Sequence, residues 1–228
     1  MPPFWPMDRP ELVSSFNLLS VVLLKGLMRS LFLGKTYTML GHNGTTENGI
    51  IPRALEEIFR LANPDTDSIG IAFYEIHNEK VFDLLSQSQL KVPLLLREGN
   101  GEFYLPQLKQ IWTGSAQESL DLLDRGLKTR SMGSTAANVN SSRSHAIFRI
   151  TLARVDDNEQ RREVKLSLVD LAGSESVKKS NAVGDQLTEG NNINKGLLAL
   201  GKCISDIHSR KTHIPFRDST LTKVLKGK

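Results

Sequence analysis

The sequence has a single cysteine, Cys203. An internal disulfide is therefore excluded, and a lone thiol fits a reducing compartment, where it packs as a small hydrophobe. Aromatic residues make up only 6% of the chain, few for a surface that stacks nucleobases, and no nucleic-acid reader pattern accompanies them. No uncharged apolar run reaches the roughly 20 residues of a membrane-spanning helix. The most apolar stretch, LLSVVLLKGLM over 18–28, is interrupted by Lys25. It has no basic cluster before it and no small-residue cleavage pattern after it, so it reads as a buried strand or helix rather than a targeting signal. No internal repeat or low-complexity tract is present.

What remains is the composition of an ordinary folded domain. Hydrophobic residues at 39% and charged residues at 24% support a sizeable core, and 228 residues suit one large domain or two small ones. The net charge of +4 conceals an asymmetry. From Ser176 to the end, ten Lys or Arg face four Asp or Glu. A basic last quarter suits an acidic partner, whether nucleic acid, an anionic membrane or an acidic protein surface.

Residues 1–33 differ from the rest, with four prolines in the first ten and then the apolar run. Beyond them the elements alternate. Ile51, Leu55, Ile58, Phe59 and Ala62 recur at helical spacing over 51–62. Residues 68–78 (SIGIAFYEIHN) are β-branched and aromatic, as in a strand, and EKVFDLL adds a short, partly buried element. Ser115 caps a predicted helix to Ser131 with Leu120, Leu123 and Leu127 on one face. HAIFRITLARV (145–155) and VKLSLVDLA (164–172) read as a hairpin. A polar loop over 173–189 leads to a predicted helix, Asn192–His208, and another is predicted over Phe216–Lys226. Strands mixed with helices and near-continuous apolar runs predict an α/β sheet covered by helices.

Three polar pieces carry chemistry. GKTYTM (34–39) ends like the phosphate loop G-x-x-x-x-G-K-[ST], in which Lys35 supplies a charge to the outer phosphates and Thr36 a hydroxyl to Mg²⁺. The first glycine of that loop is missing, because Arg29 holds its position and bulky side chains fill the loop body. NVNSSRSH (138–145) gathers hydroxyls, an arginine and a histidine just before a strand. Hydroxyls there can ligate Mg²⁺ or bond phosphate, and the arginine can hold a carboxylate. VDLAGSE (169–175) puts Asp170 at the end of an apolar strand, with Gly173 where a backbone N–H can approach a phosphate.

Together these pieces resemble a kinesin motor domain. NVNSSRSH and DLAGSE are similar to the two switch motifs of that family. EGNNINKGLLALGKCI (189–204) and HIPFRDSTLTKVL (213–225) resemble its relay helix and the track-facing loop and helix that follow. NGIIPRALEEIF and YEIHNEKVFDLL also fit in order and spacing. The resemblance covers about residues 34–228 and implies a P-loop NTPase-like fold, a central mixed sheet flanked by helices. It leaves residues 1–33 as an atypical segment without the family's early strand or its adenine-contacting motif, and finds no neck linker after the last residues. With Arg29 in the loop, weaker ATP affinity is expected.

The resemblance implies ATP and Mg²⁺ as ligands and microtubules as partner, with no membrane or nucleic-acid role. It implies a place in the cytoplasm on the microtubule cytoskeleton, the spindle included. Gly34, Lys35, Thr36 and Tyr37 fall on the nucleotide-binding segment. Asn138 and Ser141 face the γ-phosphate, Ser142 and Thr36 ligate Mg²⁺, Asp170 holds a metal-bound water, and Gly173 senses the γ-phosphate. Arg143 pairs with Glu175 to close the site over the attacking water. Lys195, Lys202, Arg210, Lys211, Arg217 and Lys223 lie where the family meets tubulin. An alternative is a non-enzymatic microtubule-binding remnant that kept the basic face and lost the nucleotide site.

Overall fold

The computed structural model describes residues 35–41, 49–88, 90–132, 143–155, 160–173 and 185–226; of 35–37, 132 and 185–189 it describes the backbone only. At its centre lies the β-branched run read from the sequence, strand β1 (Asp67–His77). Successive side chains of a strand point to opposite faces, and both faces of β1 are covered. Ile69, Ile71 and Phe73 enter one apolar cluster and Tyr74 and Ile76 another.

Strand β6 (His145–Val155) pairs antiparallel with β1 along ten residue pairs, and β7 (Arg161–Asp170) pairs antiparallel with β6. The opposite edge of β1 is shared. Strand β2 (Lys80–Asp83) takes its C-terminal half and β5 (Ile111–Thr113) its N-terminal half. The path is therefore β2-β1-β6-β7 with β5 beside β2, and every pairing among the described residues is antiparallel. A separate small hairpin joins β3 (Arg97–Gly99) to β4 (Glu102–Tyr104).

Helices cover both faces. On the first lie α1 (Lys35–Leu40), α2 (Ile50–Leu61) and α3 (Ala116–Met132). Ile51 and Leu55 are buried there, with Ile58, Phe59, Ala62, Leu120 and Leu127 packed around them. The predicted cap of α3 is present: Ser115 Oγ accepts the Glu118 N–H at 3.1 Å. On the second face lie α4 (Asp185–His208) and α5 (Thr220–Leu225), which bury Leu200, Leu221, Val224 and Leu225 against Tyr74 and Ile147. Each such side chain removed from water stabilises by about 1.5–3 kcal/mol. No helix of the described residues is long and apolar enough to cross a membrane.

Strand β7 begins at Arg161, inside the charged run, rather than at Val164, and two helical segments also differ from the sequence expectation. Helix α4 begins at Asp185 rather than Asn192, so it takes in part of the expected polar loop. Among the described side chains of the helix, the buried apolar ones run from Ile193 onward, and the expected start followed that periodic part. The segment expected as one helix over Phe216–Lys226 is two pieces, a 3₁₀ turn (Phe216–Asp218) and α5. Ser219 between them is extended, with φ −150° and ψ 159°. It acts as N-cap, accepting the Thr222 N–H at 3.1 Å while Thr222 Oγ1 accepts the Ser219 N–H at 3.2 Å. The run at 18–28 lies outside the described residues.

Candidate functional site

The β6–β7 register sets the site. Ala146 faces Asp170 across the pair, so the turn that enters β6 and the segment that leaves β7 emerge at one corner of the sheet. Arg143, half-buried, and Ser144, buried, belong to the first; Ala172 and Gly173, both buried, belong to the second. Helix α1 reaches the same corner. Its Met39 and Leu40 line a void of about 20 Å³ together with Arg130, Ala146, Leu168 and Asp170. Three segments far apart in sequence thus converge.

A network of buried charge holds the corner. Arg130, in the last turn of α3, donates through Nη1 to Asp170 Oδ2 at 3.1 Å and through Nη2 to the Ser144 carbonyl at 2.9 Å. Ser144 Oγ donates to Glu75 Oε2 at 3.0 Å, and Arg130 Nε lies 3.8 Å from the same oxygen. The other carboxylate oxygen of Glu75 is paired with the ammonium of Lys91. Charges withdrawn from water in this way persist only when paired, and removing one partner is costly. His145 is buried beside them. Its Nδ1 accepts the Ala172 N–H at 3.1 Å, so the neutral ring carries its proton on Nε2.

The corner is connected to α4. Ala172 packs with Ile193 and Leu197 in one apolar cluster. The opposite side of that helix turn is open: Lys195 and Lys202 are exposed, Leu198 between them is 74% exposed, and all three line a shallow depression with Asn191, Asn194 and Asp218.

Of the residues singled out in the sequence, Arg143, Asp170 and Gly173 are placed at the corner. Lys35, Thr36 and Tyr37 are placed by backbone, as the start of α1. Gly34, Asn138, Ser141, Ser142 and Glu175 lie outside the described residues. Among the basic residues, Arg210 is exposed just after α4, Lys211 pairs with Asp206 at 2.5 Å, Arg217 pairs with Glu98 at 2.5 Å, and Lys223 is half-buried on α5. Sequence reasoning passed over Glu75, Lys91, Arg130 and Ser144 as members of the charge network. A carboxylate inside an eight-residue buried stretch of β1 was the available signal, since such a group requires a partner.

A central sheet with helices on both faces and polar groups gathered at the tips of paired strands gives the fold class, a P-loop NTPase-like α/β architecture. The family model for the kinesin motor domain matches residues 31–228, and the chain belongs to that family. It is 41% identical over 200 residues to Kinesin-like protein 3 of Schizosaccharomyces pombe, covering 85% of this chain and 36% of that protein. It is also 41% identical over 206 residues to the human chromosome-associated kinesin KIF4A, covering 84% of this chain and 17% of that protein. The chain thus spans about a third or less of these relatives. A solved fast kinesin superposes with a TM-score of 0.73 at 36% identity, over 85% of this chain and 56% of that one. A KIF14 dimer with AMP-PNP on a microtubule gives a TM-score of 0.70 at 37% identity, over 85% and 58%.

Proposed function

We propose that this chain is the nucleotide- and track-binding part of a microtubule-based motor, which binds ATP with Mg²⁺ and uses hydrolysis to change its grip on the track. The observation that carries the reading is the meeting of the Ser144 turn, Asp170 and Gly173 beside α1. The KIF14 relative solved on a microtubule supports the choice of track. In this reading residues 34–228 are motor and 1–33 a separate segment, and the chain works in the cytoplasm on microtubules, those of the spindle included.

The residues suit a magnesium–triphosphate ligand. Thr36 and Ser142 offer hydroxyl oxygens and Asp170 an outer carboxylate, the hard donor set that Mg²⁺ prefers. Asp170 lines the corner and keeps one oxygen on Arg130. Magnesium, when bound, neutralises charge on the phosphates. Gly34, Lys35 and Tyr37 hold the nucleotide, with the Lys35 ammonium at the outer phosphates. Asn138, Ser141 and the Gly173 N–H contact the γ-phosphate. Arg143 and Glu175 close over the water that attacks it, and positioning with charge neutralisation supplies the rate.

Release of the γ-phosphate frees Gly173. Ala172 packs on Ile193 and Leu197, so a shift there moves α4 and the Lys195–Leu198–Lys202 face on its other side. That face, with Arg210, Lys211, Arg217 and Lys223, meets the acidic track. Lys211 and Arg217 already have acidic partners within the chain, so their contribution is weaker than that of Lys195 and Lys202.

Titration of a fluorescent ATP analogue with Mg²⁺ tests the nucleotide site. Binding by the native chain and its loss in Lys35→Ala is the expected result, and equal behaviour at millimolar nucleotide overturns it. One observation favours a second reading, a microtubule binder without catalysis: Arg29 stands where the phosphate loop calls for glycine. Co-sedimentation with microtubules in rising salt separates the two. Nucleotide-dependent binding supports the motor, and salt-sensitive, nucleotide-blind binding supports the remnant.

A further inference from the structure

We propose that Lys91, a residue of the surface loop between β2 and β3, is a positioning residue for the strand-tip corner, acting through the buried Glu75. The proposal deepens the reading of that corner as the nucleotide site and rests on it.

Glu75 is fully buried near the C-terminal end of β1. An isolated carboxylate there is strongly disfavoured, so its partners determine how the groups around it sit. Oε2 accepts the Ser144 hydroxyl and faces Arg130; Oε1 is in ion-pair contact with the Lys91 ammonium. Lys91 reaches in from outside. Its side chain is 37% exposed, and its ammonium also lies 5.2 Å from the centre of the Phe82 ring. The residues on both sides of it, Leu90 and Val92, are exposed. The ion pair and the backbone bond from the Leu94 N–H to the Val81 carbonyl, 2.7 Å, tie this loop to the core.

The consequence is a matter of charge balance. Among the described contacts, Glu75 lies between Lys91 and Arg130, and Arg130 also serves Asp170. With Lys91 present, Glu75 is neutralised from the surface side, and Arg130 is left to hold Asp170 Oδ2 and the Ser144 carbonyl. With Lys91 removed, Glu75 loses its surface-side cation and pulls harder on the Arg130 guanidinium, which already lies 3.8 Å away. Arg130 is then drawn toward the fully buried carboxylate, and Asp170 and the turn before His145 loosen. A surface loop thereby sets the geometry of both strand tips, and anything that takes up the Lys91 ammonium acts on the corner from outside.

Two measurements on the full chain test this, using Lys91→Met, which keeps the stem and loses the charge, and Lys91→Arg, which keeps the charge. The first is amide hydrogen exchange without nucleotide. In Lys91→Met the Ala172 and His145 amides exchange about tenfold faster while the far ends of β6 and β7 are unchanged, and Lys91→Arg behaves as the native chain. The second is binding of the fluorescent ATP analogue. Lys91→Met weakens Mg²⁺-dependent binding about fivefold and leaves Mg²⁺-free binding alone, and Lys91→Arg restores it. Failure of the native chain to bind the analogue sinks the nucleotide-site reading, yet the exchange result still decides whether Lys91 positions the corner. Faster exchange confined to residues 84–96 overturns the proposal. So does a uniform rise across the sheet or global unfolding in Lys91→Met and again in Lys91→Gln, and so, where the native chain binds the analogue, does Mg²⁺-dependent binding equal to native.

Discussion

The carboxylate of Glu79 accepts the backbone N–H of Thr220 at 2.8 Å, while the Thr220 hydroxyl donates to the Glu79 carbonyl at 2.9 Å. Glu79 lies in the tight turn between β1 and β2, and Thr220 opens α5. Both turn residues are left-handed, Asn78 with φ 51° and Glu79 with φ 59°. Asn tolerates that conformation, whereas Glu adopts it at a cost. The bond to a free N–H at a helix start is the compensating gain. Glu79→Ala keeps the strain and loses the acceptor, and is expected to destabilise by about 1–2 kcal/mol. Glu79→Gly also loses the acceptor but relieves the backbone, so it should lose less. Thermal unfolding should rank native above Gly above Ala; an alanine variant as stable as native would remove the anchoring role.

Two helical glycines should respond to alanine in opposite directions. A Cβ at Gly126 in α3 would come within 2.2 Å of Phe73 Cδ1, where Phe73 stacks edge-on against Phe148 with ring centres 5.6 Å apart. Overpacking there is expected to cost about 1–3 kcal/mol, more than the helix-propensity gain. A Cβ at Gly201 in α4 meets nothing within 4 Å, so Gly201→Ala should stabilise by about 0.5–1 kcal/mol. Chemical denaturation of the two variants measures both signs.

This packing was only partly legible from sequence. The β6–β7 hairpin could be read because apolar residues fill its strands, and α2 because Ile51, Leu55, Ile58 and Phe59 recur at helical spacing. The early start of α4 could not. Gly190, Asn191 and Asn192 are poor helix formers, and Asp185–Asn192 offers no apolar stripe. Arg143, Asp170 and Gly173 were singled out because their residue types stand out in short polar runs, and the structure places them at the strand-tip corner. Arg130 and Lys91 did not stand out. Each is one cation in a segment where cations are ordinary, and only the tertiary fold shows that each points at a buried carboxylate. Glu79 was hidden for a related reason: its cap joins positions separated by 141 residues.

Cys203 should be unreactive in the native chain. It is buried in α4, and burial first, then the nearby Asp218 and Asp206 carboxylates, push its thiol up to about 11. The thiolate is the nucleophile, so at pH 8 almost none is present and what exists is shielded. Alkylation by iodoacetamide is expected only after denaturant is added. Rapid labelling of the native chain would show that α4 opens at this position.

The last expectation concerns acid. Asp67 opens β1 and Arg154 lies near the end of β6, facing each other in the register. Arg154 Nε and Nη2 reach the two Asp67 oxygens at 2.5 and 2.6 Å. This fork, chiefly the hydrogen bonds from Arg154, holds the Asp67 carboxyl down to about 2. A carboxylate with a depressed native pKa binds protons more readily when unfolded. Its contribution is therefore complete above the ordinary value near 3.8 and is lost as pH falls toward 2. The arginine is half exposed, so solvent screens the pair and the contribution is small. Asp67→Asn should lower the unfolding temperature at pH 7, and the gap to the native chain should narrow between pH 4 and pH 2. A gap that stayed constant across that interval would mean that the pair adds no pH-dependent stability.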